Sequence, residues 1–273
     1  MTIAASVAGP QGGSSVLFLH GIGQTRHSWG AAISSLGAAG FRAVALDARG
    51  HGDSAWADDG RYDVDALADD LQDVLEAIGP AVLVGASMGG LTSLLVAGER
   101  RAPQVQGLVL VDVVPRVERE GTAEIFAFMT GNPDGFESLD AAAHAIAAFL
   151  PNRKRVPNPA GLSKNLRLGA DGRYRWHWDP AVLTTRSPDA RVRLQRHEAA
   201  AEALDIPTMV IRGGGSRVVS MDGVEAFLRL APHARFVNID RAEHMVAGDA
   251  NDAFNAPLID FLQGARAAAD VQA

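Results

Sequence analysis

Six short apolar runs, at residues 16–19, 43–46, 82–84, 108–111, 209–211 and 236–239, constrain this chain more than any other feature. They are rich in Val, Leu and Ile and do not alternate strictly with polar residues. A strand reads this way when both of its faces are covered, as in a parallel sheet with helices packed on either side. Segments of helical period lie between the runs. In the clearest, residues 63–78, the side chains of Leu67, Leu71, Val74, Leu75 and Ile78 share one face, with acidic residues opposite. Asp63 and Asp65 suit its start as cap and dipole partners, and Gly79-Pro80 suits its end. Strand–helix alternation of this kind predicts an α/β fold, a doubly wound and mostly parallel sheet.

The rhythm breaks once. From Pro115 to Leu204 no run compares with the others, and helical stretches at 121–130, 138–150 and 192–204 flank a basic, proline-containing loop. This segment, 115–204, is expected to be a helical cap inserted into a core made of 1–114 and 205–273. A 273-residue chain can bury one large core, so a single domain with an insertion is the expected organisation.

Charge and composition exclude several functions. The chain has 25 Lys and Arg against 32 Asp and Glu, a net charge of −7, and its densest basic run is only Arg153-Lys154-Arg155. Nucleic acid is therefore not an expected partner. There is no cysteine, which rules out a disulfide framework, a thiolate metal site and a cysteine nucleophile, and fits a reducing, cytoplasmic compartment. The start has no basic residue ahead of an apolar stretch and reads as no secretory signal. Residues 81–98 carry no charge and have the length of a membrane span. Their glycines, serines and threonine favour another reading, so no membrane partner is expected.

That reading is the run Gly85-Ala86-Ser87-Met88-Gly89, directly after one expected strand and before a helix. A tight strand-to-helix turn holds its central residue in a strained conformation and needs small neighbours to pack. The Ser87 hydroxyl then projects at the carboxyl edge of the sheet. An ordinary loop with a chance serine is the bland alternative. His20-Gly21-Ile22-Gly23 follows the first strand, and the N–H groups of Ile22 and Met88 are placed to bind a developing oxyanion. Asp47, Arg49, Gly50, His51, Gly52 and Ser54 follow the next strand and read as a structural turn pinned by Asp47 and Arg49. His20 and His51 are expected to fix loop geometry rather than act as bases.

These motifs, in this order and with a late histidine at 244, resemble the α/β-hydrolase superfamily over residues 14–263. The resemblance implies a helical cap over the site and a Ser–His–acid triad working without cofactor or metal on a small-molecule substrate. It makes Ser87 the nucleophile, His244 the general base, and Ile22 and Met88 the oxyanion donors. Two departures stand out. Only 15 residues precede Val16, room for one short strand where the family usually has more, so about seven strands are expected. The family also places an aspartate just past the strand that follows the cap, and Arg217 stands there instead. Arginine cannot accept a hydrogen bond from imidazole, and its charge opposes an imidazolium.

Asp112 offers a substitute. It ends the strand after the elbow helix, where some family members, haloalkane dehalogenases among them, carry the acid. Its other reading is a cap for the turn into Val113-Val114-Pro115. Asp222 is the next candidate, though it suits the start of a helix at 223–230, and Asp205 lies before its strand, on the wrong edge. With serine in the elbow, dehalogenase and epoxide-hydrolase chemistry is disfavoured. Met129, Trp176 and Trp178, with Phe126, Phe128 and Phe149, are expected either to line an apolar substrate pocket or to form the insertion's own core. The function that follows is hydrolysis of a carboxylic ester or lactone with an apolar moiety through an acyl-enzyme. A perhydrolase (the non-haem haloperoxidases) or a C–C bond hydrolase would use the same residues. From another class comes a receptor with a decayed triad. A metal-dependent hydrolase lacks any His-Glu-x-x-His pair.

Overall fold

The apolar runs form one sheet. In a computed structural model describing residues 1–149, 159–185, 189–240, 242, 244 and 251–272, seven strands pair in the order β1-β3-β2-β4-β5-β8-β9. They are β1 (Ala5–Ala8), β2 (Ser15–Leu19), β3 (Arg42–Leu46), β4 (Ala81–Ala86), β5 (Val105–Val111), β8 (Thr208–Gly213) and β9 (Arg235–Ile239). The edge strand β1 runs antiparallel to β3, and every other pairing is parallel. Only β1 precedes β2, so the sheet has seven strands, as the short leading segment predicts. The basic run Arg153-Lys154-Arg155 lies outside the described residues.

Burial explains why the runs do not alternate. Successive side chains of a strand point to opposite faces, and here both faces are covered. Leu17, Val44, Leu46, Leu83, Leu108, Leu110 and Val210 pack into one layer, with Leu71 and Leu75 of α2 (Val64–Ile78) and Leu94 of α3 (Met88–Leu94). Their neighbours Val16, Phe18, Val82, Val84, Val109, Val111, Met209 and Ile211 pack into the other. There they meet Ile33 and Leu36 of α1 (Gly30–Ala38), with Phe254, Leu258 and Phe261 of the C-terminal helix Asn251–Gln272. Helix α2 starts where its sequence says it should: the Asp63 side chain accepts from Ala66 N–H, and Gly79 ends it with φ +80°.

The chain between β5 and β8 carries α4 (Arg119–Thr130), α5 (Leu139–Phe149), β6 (Leu166–Leu168), β7 (Tyr174–Trp176), α6 (Ala181–Thr184) and α7 (Ala190–Glu202). The antiparallel pair β6–β7 is not anticipated from sequence. Each strand is three residues long with an arginine at its centre, too short and too polar to register as a period. Helix α7 packs against α3 and α8 (Met221–Leu230) and sends Ala200 and Ala201 into the core.

Two further details correct the sequence reading, and a third agrees with it. Asp47 pins its turn by accepting from Arg26 and from the Asp53 N–H, but Arg49 turns away to a bidentate ion pair with Asp70 of α2. Helix α8 is capped by Ser220, whose hydroxyl accepts from Gly223 N–H, and Asp222 is exposed in its first turn. The uncharged stretch 81–98 is β4, the elbow, α3 and a widened last turn at Leu95–Glu99. Among the described residues no helix is long and apolar enough to cross a membrane.

The elbow needs its glycines for room. A Cβ on Gly85 would lie 2.5 Å from the Gly89 carbonyl oxygen, and one on Gly89 would lie 2.5 Å from that of Leu19. Both obstacles are backbone and cannot swing aside. Gly89→Ala is expected to cost about 1–3 kcal/mol, as overpacking of a core does, read as a lowered midpoint in denaturant unfolding.

Candidate active site

Parallel strands put all their carboxyl ends on one edge of the sheet, and the loops that leave that edge meet there. The register brings Leu19 beside both Gly85 and Leu46, Ala86 beside Val111, and Gly213 beside Ile239. Ser87, Asp112 and the loops holding Ile22, Ser216 and His244 therefore start from neighbouring points.

Ser87 follows β4 directly with φ +47° and ψ −117°, in a region that side chains other than glycine rarely adopt. Its N–H donates to Val111 O, and its carbonyl accepts from Leu91 N–H in the first turn of α3. Asp112, the residue after β5, also has positive φ, +47°, and is fully buried. Two strained residues therefore sit at adjacent strand ends.

The Asp112 carboxylate does not cap the turn that follows it. Its Oδ1 accepts from Gly213 N–H at 3.0 Å, and its Oδ2 accepts from the Ser216 hydroxyl at 2.5 Å and from His244 Nδ1 at 2.6 Å. A buried carboxylate needs such donors, because leaving it unpaired away from water costs several kcal/mol. The proton on Nδ1 leaves the Nε2 lone pair of His244 as the open face of the ring. Ser216, which sequence reasoning passed over in favour of its neighbour, is itself held by the N–H groups of Val218 and Val219. It sits beside the position where the family usually has its acid. Arg217 points away from the carboxylate and pairs with Glu124 of α4 at 2.6 Å, exposed at the rim. Asp205 is exposed.

Ser87 and His244 both line one cavity of about 330 Å³, with Gly21, Ile22 and Gly23 on its floor. Met129, Trp176 and Trp178 line it too, together with Phe128 and Phe149. The two tryptophan rings stack at 4.9 Å and the two phenylalanines at 4.3 Å, so these side chains are at once the packing of the segment after β5 and the wall of the pocket. Phe126 departs from expectation: it is exposed on α4 and does not line the cavity. The Met88 side chain lines a separate small cavity over α2, while its N–H, on the first residue of α3, has no acceptor inside the helix.

Three buried imidazoles lie beneath the Gly21–Gly23 loop. His20 and His51 are 5.0 Å apart between ring centroids, and His51 and His177 are 5.9 Å apart. Every ring nitrogen meets a backbone group of the neighbouring loops. Among the described residues no group of three or more His, Asp or Glu side chains is arranged to hold a metal ion. Burial pushes His20 down to about 4, His51 to about 3 and His177 to about 4, with neighbouring imidazoles adding to the shift. All three are neutral in the folded protein at neutral pH, as expected for histidines that fix loops.

A family model described as the alpha/beta hydrolase fold matches residues 14–250. The esterase Rv0045c of Mycobacterium tuberculosis is 34% identical over 265 residues, spanning 93% of this chain and 83% of that protein. The sn-1-specific diacylglycerol lipase ABHD11 of Mus musculus is 30% identical over 255 residues, spanning 90% of this chain and 80% of that protein. The crystal structure of E-2-(acetamidomethylene)succinate hydrolase superposes with a TM-score of 0.80 at 24% identity, over 96% of this chain and 95% of that one.

The histidine cluster predicts an acid sensitivity. Unfolded histidines titrate near 6.5, so below that pH the unfolded chain binds protons that the folded chain refuses, and stability falls as pH drops from 6.5 toward 4. Each of the three costs about 1.4 kcal/mol per pH unit in that window. Urea midpoints measured from pH 7 to pH 5 should fall steeply, and His51→Gln should flatten the slope by one proton.

Proposed function

This chain belongs to the α/β-hydrolase family, and on that footing we propose that it is a serine hydrolase of carboxylic esters or lactones carrying an apolar moiety. One observation carries the reading: the carboxylate-bound imidazole of His244 and the hydroxyl of Ser87 face the same aromatic-walled cavity. The similarity to a named esterase and a named diacylglycerol lipase supports ester bonds as the target.

In this reading the Ser87 oxygen attacks the substrate carbonyl carbon while its proton passes to His244 Nε2. Asp112 holds the ring by its Nδ1–H and stabilises the imidazolium that forms. The carbonyl π pair moves onto oxygen, and the N–H groups of Ile22 and Met88 receive that charge. Collapse of the tetrahedral species expels the alcohol, which takes the proton from His244, and leaves an ester on Ser87. A water deprotonated by the same imidazole then attacks the acyl carbon, and the second collapse returns the proton to Ser87 and releases the acid. No cofactor enters these steps. Met129, Trp176 and Trp178 are the walls against which the apolar moiety rests, and the cavity suits a small molecule rather than a polymer.

Moving the acid from its usual strand to the end of β5 keeps the chemistry, because what the imidazole requires is a buried acceptor at Nδ1, whichever strand supplies it. Ser216 then serves the vacated place by donating to that acceptor.

Two measurements test the reading. A fluorophosphonate probe should label the protein one to one at Ser87, and Ser87→Ala should abolish both labelling and hydrolysis of p-nitrophenyl esters; labelling elsewhere, or activity that survives the change, overturns it. Asp112→Asn should lower kcat by about 10⁴, the loss seen when a triad acid can no longer fix the imidazole tautomer. Retention of most of the turnover would remove Asp112 from its role.

A further inference from the structure

The three neutral imidazoles do more than fill space, because each holds a different peptide group of the oxyanion loop. His20 Nε2 accepts from Ala48 N–H at 3.0 Å, so its proton is on Nδ1 and donates to Gly21 O at 2.8 Å. That carbonyl and the Ile22 N–H belong to one planar unit and point in opposite directions, so the bond sets where the Ile22 N–H aims. His51 Nε2 accepts from Gly23 N–H at 3.2 Å, and its Nδ1–H donates to Arg49 O, which fixes the next peptide. His177 Nδ1 accepts from Gly52 N–H at 2.7 Å, so its Nε2–H donates to Gly23 O at 3.3 Å. This fixes the third peptide, whose own N–H, that of Gln24, donates back to Gly21 O at 3.1 Å.

His20 and His51 come from the loops that leave β2 and β3 at this edge of the sheet. His177 does not: it arrives from β7's end, in the segment between β5 and β8, and lies between the cavity-lining Trp176 and Trp178. Gly23 is the point that needs holding, because its φ of +75° and missing side chain leave its peptides the freest in the loop. We propose that His177 is a positioning residue for the oxyanion loop: its Nε2–H holds the Gly23 carbonyl and so couples docking of the inserted segment to the aim of the Ile22 N–H. The inference rests on the reading of Ile22 as an oxyanion donor.

The segment keeps other anchors on the same turn. The Arg167 guanidinium donates to Gly52 O, Asp179 N–H donates to Gly50 O at 2.8 Å, and the Tyr62 hydroxyl donates to Asp179 Oδ2 at 2.5 Å. Replacing His177 therefore leaves the segment docked and releases the two groups its ring holds, the Gly52 N–H and the Gly23 carbonyl. Two substitutions separate the two bonds of the ring. The amide nitrogen of glutamine reaches the position of Nε2 and retains the donor to Gly23, whereas the amide oxygen of asparagine reaches that of Nδ1 and retains only the acceptor for Gly52.

The test uses the full chain with His177→Gln, His177→Asn and Ser87→Ala, a p-nitrophenyl ester as substrate and an alkyl boronic acid as tetrahedral mimic. His177→Asn should lower kcat by about 10- to 100-fold, the range for misplacing a catalytic group by up to about 1 Å, and weaken boronate inhibition in parallel. KM should stay within about threefold of the parent, because the lost interaction belongs to the transition state. His177→Gln should restore most of the turnover and of the boronate affinity. Equal losses in the two variants, or a change confined to KM, overturn the proposal, since a merely structural role would move both amides alike. Ser87→Ala tells this failure from that of the parent reading: turnover that survives it overturns both, while turnover lost there but unmoved by either His177 change overturns the coupling alone.

Discussion

Covering both faces of a parallel sheet is the constraint from which the rest of this structure follows. Once β2, β3, β4, β5, β8 and β9 run the same way, each must return through a helix, and all six carboxyl ends open on one edge. Residues separated by more than a hundred positions in the chain then leave the sheet a few ångströms apart. Asp112 meets Gly213, Ser216 and His244 for this reason alone. The edge is also where local strain concentrates, with Ser87 and Asp112 both at positive φ.

The buried carboxylate of Asp112 shows how that edge is stabilised. Fully out of water, it collects three donors, two from the end of β8 and the loop after it and one from the loop after β9, and the two side-chain contacts are short, 2.5 and 2.6 Å. Such bonds are the strong ones in a protein interior. They tie the loop after β5 to those after β8 and β9, where the backbone adds a bond from Gly215 N–H to Ala242 O. On the other side of Ser87 the same work falls to neutral imidazoles, which bond to backbone groups without bringing a charge into the core. One edge of the cavity is thus organised by a carboxylate and the other by histidines.

Much of this was legible before any coordinates. The six apolar runs, the capped helix at 63–78 and the small-residue elbow each follow from local rules of burial, capping and sterics, and each appears where those rules put it. The structural role of His20 and His51 was also readable, since glycine-rich turns supply backbone groups for a ring to bind. Other features were not legible, for stated reasons. The β6–β7 pair depends on partners across a turn rather than on its own pattern. The exposure of Phe126 beside the buried Met129 reflects how α4 is rotated on its neighbours. Ser216 and His177 are single polar residues whose roles exist only through groups 104 and 154 positions away in the chain.

By itself, the amino-acid order determined the layered fold, the position of the elbow and the set of carboxylates from which one could serve the imidazole. Those are consequences of periodicity and of residue size, which act over a few neighbours. Which of Asp112, Asp205 and Asp222 touches His244, which aromatic side chains face the cavity, and how an inserted segment grips the loop beneath it were decided only in three dimensions. They depend on strand order and on the packing angle of helices, and neither is written in any short stretch of chain.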